Sequence, residues 1–233
     1  MKWVSYGPNA LLVEFADRLG DEAFARGRSI VAALERRPPE GLVEFVPGFT
    51  SVLLEFDPLV VPDPKARVLE WMAMLKSAIS TPAGEGELKT LPVTYDGPDL
   101  ERVARQGGLT PEMVVALHSG RVYKVYVLGF SPGFPYLGDL DPRLQTPRLA
   151  TPRTRVPAGS VAIGGEHTGI YPTETAGGWN LIGRTPRVLF DPGRASAGEH
   201  GREAFLLRPG DRVQFVPQPG GAMPPAGNPS PAS

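Results

Sequence analysis

The sequence contains no cysteine, which excludes disulfide bonds, thiolate nucleophiles and cysteine-ligated zinc. Histidine is nearly as scarce, with His118, His167 and His200 each isolated, and none pairs with another at the spacing that sets two imidazoles on one helix face. No metal centre is therefore expected. An excess of charge of one sign is also missing: 24 basic residues meet 25 acidic ones for a formal net charge of -1. That balance gives no support to a nucleic-acid or membrane-surface binder. No apolar run approaches the length of a membrane span, and the N-terminus, MKWVSYGPNALLVEF, is polar by its fifth residue and lacks the apolar core of a secretory leader. A cytoplasmic location is the expectation. Neither a phosphate-binding loop nor a dinucleotide fingerprint occurs.

What the 233 residues do contain is turn chemistry, with 28 glycines and 27 prolines. Lys2 to Tyr6 and Ala10 to Phe15 flank Gly7-Pro8-Asn9 and predict a hairpin. Asp21 to Arg37 sets Phe24, Gly27, Val31 and Leu34 on one helical face and ends before two prolines. Leu42 to Val46 and Ser51 to Phe56 flank Pro47-Gly48 as a second hairpin. Asp63 can cap a further helix with Pro64 at its first position and Val68, Met72, Leu75 and Ile79 as its stripe. Residues 1–84 are thus expected to form an α+β domain, with the breaker-rich run Ser80 to Gly86 as its boundary.

Residues 85–216 read as a second, mainly β domain. A strand over Glu87 to Tyr95 leads to a helix opening at Pro98 and another capped by Thr110, with Met113, Val114 and Leu117 inward. Strands are expected at Val122 to Leu128, Ser160 to Ile163, Val188 to Phe190, Ala204 to Leu207 and Arg212 to Val216, a pattern of a barrel or sandwich. Residues 217–233, PQPGGAMPPAGNPSPAS, read as a disordered tail.

The stretch from Leu128 to Asp191 is the expected site, because long breaker-rich loops are uncommon in compact domains unless they serve a function. Gly129-Phe130-Ser131-Pro132-Gly133 has the letters of a serine-hydrolase nucleophile elbow, but such an elbow uses the N–H of the residue after the serine, and Pro132 has none. The turn is instead a rigid aromatic rim, packed inward or presented to a ligand or partner. Thr-Pro-Arg recurs at 146–148 and 151–153, an extended strip in which Arg148, Arg153 and Arg155 are candidate anion contacts. Gly177-Gly178-Trp179 places a large aromatic after two glycines, as a core plug or a binding platform.

Taken together, LGFSPGFPYLG (128–138), PRLATPRTRVPAGSVAI (147–163), TGIYP (168–172) and GGWNLIGRTP (177–186) resemble the 5-oxoprolinase B-subunit family, also called allophanate hydrolase subunit 1, which includes the kinase inhibitor KipI. His118, ahead of the strand leading into GFSPGF, fits the same pattern. The resemblance implies an α+β N-terminal domain followed by a cyclophilin-like, mainly β, barrel. It implies a heteromer with C and A subunits that uses ATP with Mg, shared with the companion subunit, to open 5-oxo-L-proline to L-glutamate. Under that resemblance His167, Ser131 and Arg184 are candidate catalytic groups. Arg148, Arg153, Ser160, Thr168, Tyr171, Trp179 and Phe130 are candidate substrate contacts, and Pro132, Phe134 and Pro135 a partner surface. Two other readings stand beside it: an inhibitor of a sensor histidine kinase, and a carboxyltransferase-type subunit of a urea or allophanate system. The chain departs from the family pattern at His167, where an amide is expected, and at Thr175-Ala176, where Ser-Pro is expected.

Overall fold

The structure, a computed structural model, describes residues 1–80, 84, 86–194 and 203–219. It divides into two compact units: Met1–Glu87 with the short pieces Val125–Leu128 and Arg208–Asp211, and Leu88–Lys124 with Gly129–Leu207 and the chain from Arg212.

In the first unit the order is β1 (Lys2–Ser5), β2 (Ala10–Glu14), α1 (Asp21–Arg36), β3 (Leu42–Pro47), β4 (Ser51–Phe56) and α2 (Val68–Ile79). The strands form one antiparallel sheet in the order β1-β2-β4-β3. Period-2 alternation buries Leu11 and Val13 of β2 with Val52, Leu54 and Phe56 of β4, against Ile30 and Leu34 of α1 and Trp71, Met72 and Leu75 of α2. The buried face of α1 is Ala23, Ser29, Ile30, Ala33 and Leu34, rotated from the expected one, so that Phe24 and Val31 are only half-buried. Gly27 lies against Phe15, where a Cβ would meet the ring at 3.1 Å. Asp63 does cap, accepting from Lys65 N at 3.1 Å, but Pro64–Arg67 winds as a 3-10 turn before α2 begins.

Beyond α2 the chain runs β5 (Leu88–Val93), α3 (Leu100–Gly107), α4 (Pro111–Ser119), β6 (Val122–Leu128), β7 (Pro135–Gly138), β8 (Arg153–Val156), β9 (Ser160–Gly164), β10 (His167–Ile170), β11 (Thr175–Gly177), β12 (Asn180–Arg184) and β13 (Arg212–Pro217), all in the second unit but for the last four residues of β6. Seven strands make one curled, mixed sheet in the order β12-β9-β10-β7-β6-β13-β5, in which β13 and β5 are parallel, while β11 and β8 form a separate ribbon. The two edges meet at Thr94 and Arg184, whose N–H and C=O groups exchange bonds of 2.9 Å. α3 packs on β12 and α4 on β13. Thr110 Oγ1 accepts from Met113 N at 3.3 Å, as a cap should, but α4 turns Val114 and His118 inward and leaves Met113 exposed.

The breaker-rich stretch is therefore not one long loop. It holds five strands that the sequence pattern does not announce, β7, β8, β10, β11 and β12, because runs of three to five residues interrupted by glycine are too short to display a period. Val188 to Phe190 and Ala204 to Leu207 are not strands; they meet only in a single bridge, Phe190 to Phe205. Four residues of the expected boundary run, 81–83 and 85, and most of the expected tail, 220–233, lie outside the described residues.

Phe56 and Trp71 stack at 4.1 Å between centroids, 8° from parallel, with both rings buried in the core of the first unit. Truncating a core aromatic costs about 3–5 kcal/mol, against a total of about 5–15 for a whole domain. Trp71→Ala is therefore expected to lower the urea midpoint of the first unit by most of its range, read by circular dichroism, while the milder Trp71→Phe keeps a cooperative transition.

Candidate functional site

The site is built around residues 129–134. Ser131 N–H donates to Gly129 C=O at 2.9 Å with Phe130 at φ 70°, a γ-turn of the positive-φ kind, which is rare and strained. Phe134 N–H then donates to Ser131 C=O at 3.0 Å over Pro132 and Gly133, the latter at φ 80°, which is the type II geometry that requires glycine at its third position. Gly129 N–H closes the loop on Phe134 C=O at 3.0 Å. The two turns leave Phe130 projecting, 62% exposed. Strain of this kind persists only where the surroundings over-determine it, and it clusters at functional sites.

Below Phe130 lies an aromatic cluster centred on buried Phe134. Phe130, Tyr136, Tyr171 and Trp179 stand edge-on to it, with centroids 5.2–5.4 Å away. Tyr136 also meets Trp179 at 5.7 Å and the His167 ring at 6.1 Å. Glycine makes the room: a Cβ on Gly164 would sit 2.5 Å from the Trp179 indole, and one on Gly177 would sit 2.2 Å from the Tyr171 hydroxyl. The exposed Arg148 guanidinium lies 5.6 Å from the Trp179 ring centre, a cation–π contact worth roughly 0.5–1 kcal/mol at such a site. Burial pushes the His167 imidazole below its ordinary pKa, opposed by Glu166 and by a hydrogen bond with the Leu137 backbone and reinforced by Arg148. Burial also raises the Tyr171 hydroxyl, an effect that the Trp179 backbone, Arg148 and Arg153 each reduce.

The structure brings together Phe130, Arg148, His167, Tyr171 and Trp179, keeps Arg153 at their edge with Nη1 3.5 Å from the Trp179 C=O, and ties most of the other expected residues to structural partners. Arg153 is held by Asp99, Nη2 to Oδ1 at 2.8 Å, while the second Asp99 oxygen accepts from Leu181 N at 2.7 Å. Arg184 grips Asp96 at 2.8 Å. Arg155 pairs with Glu174 at 2.7 Å. Ser160 is buried and donates to Pro157 C=O at 2.7 Å, a turn contact. Ser131 Oγ is buried without a hydrogen-bond partner among the described residues, so no base activates it as a nucleophile. Phe134 and Pro135, expected at a partner surface, are buried; the exposed members of that turn are Phe130 and Pro132. His200 lies outside the described residues. Among the described residues no group of three or more His, Asp or Glu is placed to hold a metal ion, and no helix is long and apolar enough to cross a membrane.

Thr168 serves a different purpose from the expected one. It points to the other side of β10 from His167 and bonds to fully buried His118, whose Nε2 is 2.8 Å from Thr168 Oγ1 and whose Nδ1 is 2.7 Å from the Tyr95 hydroxyl. Because Thr168 spends its one proton on Ala162 C=O at 3.0 Å, it must accept from Nε2–H, which leaves Nδ1 to accept from Tyr95. The ring is thus neutral with every site satisfied, and burial pushes its pKa down to about 3. Asn180, also fully buried, completes the framework: its Nδ2 donates to Ile163 C=O at 3.0 Å and Pro147 C=O at 3.1 Å, and its Oδ1 accepts from Arg102 Nε at 2.8 Å. Asp96, Asp99 and Tyr95 carry no signal in the sequence beyond being polar residues near turns, and Asn180 is marked only by its place in the GGWNLIGRTP motif.

Compared with known proteins, residues 1–198 match the family model described as the carboxyltransferase domain, subdomain C and D. The chain is 36% identical to the 5-oxoprolinase B subunit of Bacillus subtilis (strain 168), over 90% of this chain and 90% of that one. It is 47% identical to the 5-oxoprolinase B subunit of Escherichia coli O157:H7, over 76% of this chain and 78% of that one. Among solved structures, the protein TTHA0988 superposes with a TM-score of 0.78 at 41% identity, covering 92% of this chain; this chain spans only 41% of that one.

The His118 relay has a pH signature. The imidazole titrates near 6.5 when unfolded and near 3 when folded, so between these values the unfolded chain binds more protons and stability falls as pH falls. From pH 7.5 to 4.5 this group alone is expected to remove about 2–3 kcal/mol. His118→Gln keeps hydrogen-bonding capacity without the titration: it is expected to be less stable than wild type at pH 7.5 and to show a flatter decline in urea midpoint towards pH 4.5.

Proposed function

The chain belongs to the carboxyltransferase-domain family, in its 5-oxoprolinase B-subunit group, and on that premise we propose that it serves as the B subunit of an ATP-dependent 5-oxoprolinase. The complex, completed by C and A subunits, would convert 5-oxo-L-proline to L-glutamate. The observation that carries this reading is the extent of the likeness: identities of 36% and 47% to named 5-oxoprolinase B subunits run along most of both chains rather than through one motif. The meeting of the sheet edges at Thr94 and Arg184 supports reading the second unit as a cyclophilin-like barrel. That shape by itself implies no isomerase activity.

A lactam is stable because its nitrogen lone pair is delocalised into the carbonyl, so ring opening needs the oxygen made into a leaving group. Transfer of the γ-phosphoryl of ATP to that oxygen, addition of one water at the carbon, cleavage of the C–N bond to leave an acyl phosphate, and hydrolysis of that acyl phosphate by a second water give glutamate, ADP and phosphate. This chain supplies aromatic walls, a histidine and a cation, Arg148, that has no carboxylate partner among the described residues. Among the described residues the rest is not found: two of the expected arginines are committed to Asp96 and Asp99, Ser131 has no base beside it, and no carboxylate cluster is placed for the Mg of ATP. ATP therefore enters as a co-substrate of the complex, with its phosphate and metal contacts assigned to the companion subunit. The exposed turn at Phe130 and Pro132 is the surface assigned to that companion. Everything in this scheme is compatible with a cytoplasmic complex.

Co-expression with the C and A subunits, followed by assay of glutamate release from 5-oxo-L-proline, tests the reading. Release is expected to require ATP and this chain, and none is expected from this chain alone. An assembled complex that hydrolyses no 5-oxo-L-proline overturns it.

A further inference from the structure

The arginines of the second unit sort by what already holds them. Arg153 is spent on Asp99, Arg184 on Asp96, Arg155 on Glu174, and Arg143 on Asp141 at 3.0 Å. Arg148 is exposed, lies over the face of Trp179 and has no carboxylate partner among the described residues. A guanidinium held over a ring rather than by an acid keeps its fork of N–H donors available, and that fork matches a carboxylate in two parallel bonds. Its surroundings add to this. Arg148 contributes to the electrostatics of both His167 and Tyr171, and Glu166 is the opposing charge acting on His167. Trp179 and the projecting Phe130 lean on the same Phe134, at 5.2 and 5.4 Å, so the ring beneath the cation and the exposed ring belong to one cluster.

We propose that Arg148 is a carboxylate anchor, and that the exposed Phe130 at the rim of the Phe134–Trp179 cluster flanks a small planar ring bearing that carboxylate. Naming the ring as 5-oxo-L-proline rests on the function proposed above; the preference for a carboxylated ring does not. The anchor acts on binding rather than on bond-breaking, so its signature is a change in KM. It also separates one arginine from two that the sequence makes equivalent, Arg153 and Arg155.

The test uses the assembled complex. Arg148→Ala is expected to raise KM for 5-oxo-L-proline about 10- to 100-fold, with kcat and the KM for ATP changed by less than about threefold, and Arg148→Lys to restore part of the loss. Arg105→Ala, which removes an exposed pair with Glu101 on α3, is expected to leave both constants unchanged, and matched melting curves show that each variant is folded. Calorimetry in parallel compares 5-oxo-L-proline with 2-pyrrolidinone, the same ring without the carboxylate. Wild type is expected to favour the acid, and Arg148→Ala to lose that preference. If the complex turns over nothing, the oxoprolinase reading fails and the calorimetric comparison alone decides the anchor. Equal binding of the two rings by wild type, binding of neither, or an unaltered KM in Arg148→Ala overturns it.

Discussion

The second unit depends on one uncharged imidazole. His118 stands at the C-terminal end of α4, where the helix dipole favours a protonated ring by up to about 2 kcal/mol. Burial opposes this and wins, because a pKa near 3 corresponds to a preference for the neutral form of several kcal/mol. Once neutral, the ring can be a donor on one nitrogen and an acceptor on the other, and it uses both. Through Thr168 it fixes β10, through Tyr95 the segment that follows β5, and by stacking on Phe215 at 4.6 Å it fixes β13. Its own backbone C=O accepts from the Tyr123 hydroxyl on β6 at 2.8 Å. A protonated ring could not accept from Tyr95, so the charge state and the packing of the helix on the sheet are one condition.

The opposite face of β10 shows what that rigidity is for. With Thr168 pinned on one side, His167 is held on the other beside Tyr136, and the aromatic cluster forms against glycines with no room for a side chain. A γ-turn and a type II turn in succession then hold an exposed phenylalanine in a backbone conformation that a free loop would abandon. The site is thus shaped before anything binds, and ligand or partner need not supply the ordering free energy that a mobile rim would demand.

Local rules are readable in the sequence where turn residues mark ends. Gly7-Pro8-Asn9, Pro47-Gly48, Asp63-Pro64 and Thr110-Pro111 each sit at an element boundary in the structure. The helix faces are harder: the pattern of α4 points Met113 inward, whereas the helix buries His118, a polar residue whose partners lie 23 and 50 positions away. The same distance effect hides the fate of the arginines. Arg148, Arg153 and Arg184 look alike in the sequence, and only the fold brings Asp99 to Arg153 from 54 positions away and Asp96 to Arg184 from 88. Short strands escape because three to five residues interrupted by glycine leave no periodicity to detect. The motifs that mark the region are those that build its turns, so they locate the site better than they assign roles within it.

The sheet order carries a consequence for how the chain becomes folded. β13, which follows the other strands of the sheet by more than 25 positions, lies between β6 and β5 and pairs in parallel with β5, Leu88 opposite Arg212. Until that segment docks, β5 has, among the described residues, no neighbour in the sheet other than the single contact of Thr94 with Arg184, and α4 lacks the strand on which it rests. Pairings between such distant parts of a chain form slowly, because loop-closure entropy is lost before contacts repay it. The second unit is therefore completed by a late closing step in which one strand is inserted between two others.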